Sequence, residues 1–178
     1  MSLFSERSIW TMIHGMGLGG AALLALAAGL FALYLMRRGD TAAIGGTDAS
    51  RPIALLTAFI AVMLWLTTFV GTYIVFPAYR VPPPEGAADL SLYPRYMLLA
   101  DPSTAWLHAF AMETKEHLPF IAAILATAVA FVAWRYRRGL LANSQLRRIA
   151  TAFLALCFAI VAWVSLLGVF VNKVAPLE

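Results

Sequence analysis

Cysteine, histidine and charge are all scarce in this chain. One cysteine, Cys157, and three histidines stand among 178 residues, of which 12% are charged. A single cysteine excludes an intramolecular disulfide and a cysteine-built metal site, and its place inside an apolar run suits a small buried side chain. So little charge beside 62% hydrophobic residues and a mean hydropathy of +0.81 excludes an ordinary soluble fold, which carries about twice the charged fraction. Phosphate-binding Gly-rich loops ending in Lys-Ser/Thr, HExxH and GxSxG are missing as well, as is any set of carboxylates suited to phosphoryl transfer. Neither a soluble catalytic domain nor an internal repeat is legible.

What remains is apolar and arranged in runs. A membrane-spanning helix needs roughly 20 mostly apolar residues, and four segments qualify, giving helices expected at about 8–36, 53–78, 103–136 and 146–172. The cleanest parts of the last two are His117 to Trp134 and Ile149 to Asn172. Between them, RRGDTAAIGGTDASRP (37–52) and the proline-rich stretch 79–102 cannot continue a helix, and RYRRGLLANSQLRR (135–148) reads as a short basic connection. The expected fold is all-α, a single integral membrane four-helix bundle over residues 1–178.

Arginine sets the expected orientation. Arg37, Arg38, Arg51, Arg135, Arg137, Arg138, Arg147 and Arg148 fall on the first and third connections, and the positive-inside rule puts those in the cytoplasm. Both termini and the long second connection are then expected outside a cell inner (cytoplasmic) membrane. The net charge of +4 is a signal of topology and gives no support for nucleic-acid binding. The first apolar run is too long for a cleaved signal and is followed by Arg37-Arg38, so it is expected to be retained.

Ionisable residues are costly in hydrocarbon and mark function or pairing. His14 lies in WTMIHGMGLGG, and His108 and His117 lie in WLHAFAMETKEHLPF. At about 1.5 Å per residue, His14 stands roughly 34 Å above Arg37, and His117 and His108 stand roughly 27 and 40 Å above Arg135. All three therefore belong to the outer side. His108 and His117 are nine residues apart, which places them on opposite faces of a straight helix. Gly17 and Ala21 follow His14 at helical spacing, with Ala25 and Ala28 beyond them, a strip where a helix or a flat cofactor can approach. Glu113, Lys115 and Glu116 suit an interfacial helix end, with the lysine snorkelling. Tyr73, Tyr93, Tyr96, Trp10 and Trp106 suit an aromatic belt.

Histidines on different spans, with a glycine beside His14, resemble the four-helix b-type membrane cytochromes, in which paired imidazoles hold haem iron between helices. The resemblance rests on His14-Gly15 and on the His108/His117 segment. It implies haem b held by His14 and one of His108 and His117, so that all three stand as candidate metal ligands, with Gly17 and Ala21 lining the site. On that reading the chain carries electrons between a membrane donor and an outside acceptor, as one subunit of a complex with other redox proteins. A quinol is the candidate donor, with a quinone as a further cofactor and Glu113 or Glu116 accepting its protons. Two other classes stay open: a cofactor-free structural subunit that docks partner proteins, and a non-haem metal site built from His14, Glu113, Glu116 and His117.

Overall fold

The computed structural model describes residues 4–39 and 49–176. Residues 40–48, most of the first connection, lie outside it. All regular structure among the described residues is helical. In chain order come α1 (Glu6–Arg37) and α2 (Ser50–Tyr79), the short α3 (Pro94–Ala100) on the long connection, then α4 (Leu107–Leu140) and α5 (Ser144–Val174). The four long helices are each long and apolar enough to cross a membrane. At about 1.5 Å per residue they exceed the roughly 30 Å of hydrocarbon, which leaves their ends for the interfaces.

The long helices pack as a ring. α2 lies along α4 and α4 along α5, while α1 closes the ring between α2 and α5, so α1 and α4 face each other across a diagonal. Lipid tails are as apolar as leucine, so close backbone approach has to replace the hydrophobic drive between helices, and small residues supply it. Ala22, Ala54, Ala122, Ala123 and Ala126 are buried beside Leu26, Ile60 and Leu154. At Gly29 an added Cβ would lie 2.9 Å from Cδ1 of Ile60 and 3.2 Å from Cδ1 of Leu154, which is why that crossing takes glycine. Away from the loop end, polar clips also join the long helices. The Trp65 indole N–H donates to the Thr127 hydroxyl at 3.0 Å, and the buried Cys157 thiol donates to the Ala122 carbonyl at 3.3 Å.

One end of the bundle carries the arginines and the other the proline-rich connection; they are called the arginine end and the loop end below. At the arginine end the connection expected over 135–148 is largely helical. Helical hydrogen bonding continues to Ala142, although the backbone leaves helical geometry at Arg137, and α5 begins at Ser144. Arginine, leucine and alanine are good helix formers, so helical hydrogen bonding persists across the departure at Arg137 and ends only before Asn143. Asn143 caps α5, its side-chain oxygen accepting from the N–H groups of Gln145 and Leu146.

At the loop end a second apolar cluster closes the bundle, with Leu98 of α3 packed among Tyr79, Leu107, Met112, Leu167 and Val171. The connection is shaped by two tight turns in which Asp89 and Asp101 accept from the N–H groups of Ser91 and Ser103. Those hydrogen bonds hold both carboxyls below the usual carboxylate range.

A further feature gathers at this end. Three of the four spans leave α-helical hydrogen bonding for wider π-helical turns, at Ile13–Gly19 in α1, Gly71–Val75 in α2 and Leu107–Met112 in α4. Such turns are rare and cluster at functional sites.

Candidate functional site

The π-helical turns carry two of the three histidines and a neighbour of the first. In α1 the run HGMGLGG supplies four glycines within seven residues, a composition of low α-helical propensity that tolerates a widened turn. His14 projects from this segment onto α2. Its ring lies on Gly71, where an added Cβ would stand 2.6 Å from Cε1, and its Nδ1 is 3.2 Å from the Thr67 hydroxyl.

The Thr67 hydroxyl lies 3.2 Å from both Nδ1 and the backbone carbonyl of His14. With its one proton on the carbonyl, its oxygen accepts from Nδ1–H, and neutral His14 then carries a bare lone pair on Nε2. His117 carries its proton in the same place, since Nδ1 lies 2.8 Å from the Glu113 carbonyl, which only accepts. His117 and Glu113 are, however, exposed.

Lys115 of α4 comes in from across the diagonal. Its ammonium rests on Gly168 of α5, where a Cβ would stand 2.8 Å away, and its charge acts on His14. The side chain is half-buried and makes no hydrogen bond or ion pair among the described residues. It therefore turns toward α5 and His14, where the sequence suggested a lysine snorkelling to the interface.

His108 forms a separate pair. Its Nδ1 is 2.9 Å from the hydroxyl of the buried Tyr79, with ring centroids 6.0 Å apart. The charge of Arg95 on α3 acts on both groups, and its buried Nε has no hydrogen-bond partner among the described residues. Glu116 is half-buried nearby, close enough to act on Tyr79.

Each imidazole alone has the donor chemistry that haem iron takes, an unprotonated nitrogen with the other nitrogen engaged. The two inward-facing rings do not converge on one iron. His14 sits at Gly71 and His108 at Tyr79, eight residues and roughly 12 Å apart along α2. Two nitrogens bound to one metal at about 2.0 Å each lie roughly 4 Å apart. Nor do any three histidine, cysteine, aspartate or glutamate side chains among the described residues gather as a metal site, so His14, Glu113, Glu116 and His117 do not form the expected one.

Gly17 is exposed in open space, with nothing within 4 Å of an added Cβ, so it does not line the His14 ring, and Ala21 beyond the π-helical turn is half-buried. The small residues that receive the polar side chains are Gly71 and Gly168. A signal for them was present, since each is the one glycine in its apolar run. Thr67 adds to it, one turn before Gly71 on the same face.

Compared with protein families, with curated proteins and with solved structures, the chain matches none.

Proposed function

We propose that the chain is the membrane subunit of a redox complex and that it binds a quinol head group at the loop end, between His14 and Lys115. The observation that carries this reading is the His14 imidazole, held at Nδ1 by Thr67, beside an ammonium that has no hydrogen-bond or ion-pair partner among the described residues, within a largely apolar bundle. An ionised side chain at a helix centre in hydrocarbon costs about 2.5–3.5 kcal/mol on insertion scales, and such residues face ligands or protons. A quinol hydroxyl gives its proton to Nε2, and Lys115 meets the charge left on the oxygen. Oxidation to quinone releases two protons and two electrons. One proton goes to His14 and the second leaves by Glu116 and Glu113 toward the exposed surface. The electrons leave to a one-electron carrier of the haem class. By the arginine bias, the loop end and both termini face outside an inner membrane.

A second reading places that haem b within this chain, making it the b-type cytochrome itself. It is favoured by the hydrogen bonds of His14 and His117, each engaged at Nδ1, the nitrogen whose partner orients an imidazole for a metal at Nε2. His14 is then the ligand from α1, and the second comes from His117 or from a neighbouring subunit. Haem supplies reversible one-electron transfer when bound.

One preparation tests both. The purified protein is examined for retained quinone and for a reduced-minus-oxidised absorption spectrum, in the parent and in His14→Ala and Lys115→Met variants. Quinone retained by the parent and lost from both variants supports the first reading. Sharp b-type bands lost from His14→Ala support the second. With neither quinone nor haem in the parent, both fail and a structural subunit that docks partner proteins takes their place.

A further inference from the structure

The arginine end holds a cavity of about 490 Å³ between the start of α2 and the end of α4. Its lining is Ser50, Trp134, Arg135, Tyr136, Arg137 and Arg138. That volume falls in the range of about 300–1,000 Å³ usual for small-ligand sites. On an unbroken helix, residues 135, 137 and 138 would spread over most of the circumference at about 100° per residue. The departure from helical geometry at Arg137 lets all three line one cavity.

The chemistry of the walls is cationic on one side and amphipathic on the other. Arg137 lies over the Trp134 ring at 5.0 Å and Arg135 over the Tyr136 ring at 5.6 Å, contacts that hold the guanidiniums over flat apolar surfaces. Ser50 opens α2, whose first turn holds no acidic residue, and the positive end of that helix dipole faces the cavity. In the sequence this side carries eight arginines against two acidic residues, Asp40 and Asp48, both outside the described residues. Phe131, one turn from Trp134 and also exposed, continues the apolar surface toward the middle of the span.

We propose that this cavity binds the phosphate of an anionic phospholipid, with the arginines and the start of α2 on the headgroup and the Phe131–Trp134 surface along an acyl chain. Guanidinium forks match phosphate oxygens in pairs, and interfacial tryptophan and tyrosine sit where headgroup meets tail. Lipid is preferred over free phosphate because a free anion has no use for the apolar wall. The inference is independent of the quinol site, which lies at the opposite end.

The test compares two double variants that remove equal charge from the same side. R135Q/R138Q removes arginines of the cavity, leaving Arg137 and its backbone untouched, and R147Q/R148Q removes arginines outside it. Each protein is placed in phosphatidylcholine nanodiscs containing a minor share of phosphatidylglycerol, and lipid retained after extraction is counted by native mass spectrometry. Retention of phosphatidylglycerol should fall roughly thirtyfold in R135Q/R138Q, from about 1 kcal/mol for each arginine near the lipid surface. It should change little in R147Q/R148Q. An equal fall in both variants, or no preference for phosphatidylglycerol in the parent, overturns the proposal. A second arm adds inorganic phosphate to nanodiscs of phosphatidylcholine alone. Thermal protection there without any phosphatidylglycerol preference assigns the site to free phosphate and overturns the lipid assignment. If R135Q/R138Q does not fold, R135K/R138K keeps the charge and loses the fork. A severalfold loss of lipid in that variant supports the proposal, and unchanged retention overturns it.

Discussion

Gly71 and Gly168 each lie under a polar side chain, but the two contacts differ in stiffness. Alanine at 71 would drive a Cβ to 2.6 Å from an imidazole already tied at Nδ1 and by its own carbonyl to Thr67, so ring or helix has to shift. Alanine at 168 meets only the far end of a lysine at 2.8 Å, which can swing away. Both changes gain up to about 1 kcal/mol of helix propensity. Overpacking costs about 1–3 kcal/mol where the neighbour cannot yield. Gly71→Ala should therefore lower the thermal midpoint in detergent, while Gly168→Ala should leave it level or raise it; equal effects would show that His14 is not held as described. Acid acts on other residues. Asp89 and Asp101 have carboxyls depressed in the folded chain, so the stability they contribute is present above the ordinary carboxylate range and is lost as pH falls through their lowered values. Limited proteolysis of the connection between Arg80 and Ser103 should rise over that acid interval in the parent, and in Asp101→Asn should lose part of this dependence.

Individual helices show where sequence pattern suffices and where it does not. Apolar run length located the four long helices, because hydrocarbon allows a spanning chain no alternative to satisfied backbone. It could not show that the connection over 135–148 is largely helical, broken at Arg137 and Asn143, since arginine signals a membrane boundary and a good helix former alike. Asn143→Ala removes the cap of α5 and should cost about 1 kcal/mol, visible as faster amide exchange at residues 144–148. The clip between α2 and α4 is worth less. Thr127→Val deletes the acceptor of the Trp65 indole and should cost about 0.6 kcal/mol, the average for such bonds in membranes. The site was half legible: the histidines and Lys115 stood out as ionisable groups in apolar runs, and their pairing did not. A periodicity of 3.6 put His14 in line with Gly17 and Ala21, and the π-helical turn at Ile13–Gly19 cancels that alignment. Tyr79 was hidden by its place, since the first residue of a proline-rich connection carries no mark of a site until its hydroxyl is seen on His108.

For the molecule as a whole, the ring places both polar ends at opposite faces of a bilayer, and its orientation can be read with single cysteines. Cys157 is fully buried and need not be removed first. By the arginine bias, Ala87→Cys should react with an impermeant thiol reagent in intact cells and Gly139→Cys should not, and the reverse result would invert the proposed sides. The π-helical turns have a consequence that belongs to descent. A wider turn accommodates an additional residue without disturbing the helix on either side, so each of the three segments at the loop end is the mark a single inserted codon would leave. Losing one codon is then the tolerated reversal. Deletion of one residue from 109–111 should restore α-helical bonding in α4 and keep the bundle folded, yet turn His108 by about 100° relative to the rest of that helix and away from Tyr79. A folded deletion variant with altered ligand retention would identify the loop end as the part of the chain whose lineage traded helical regularity for the aim of its side chains.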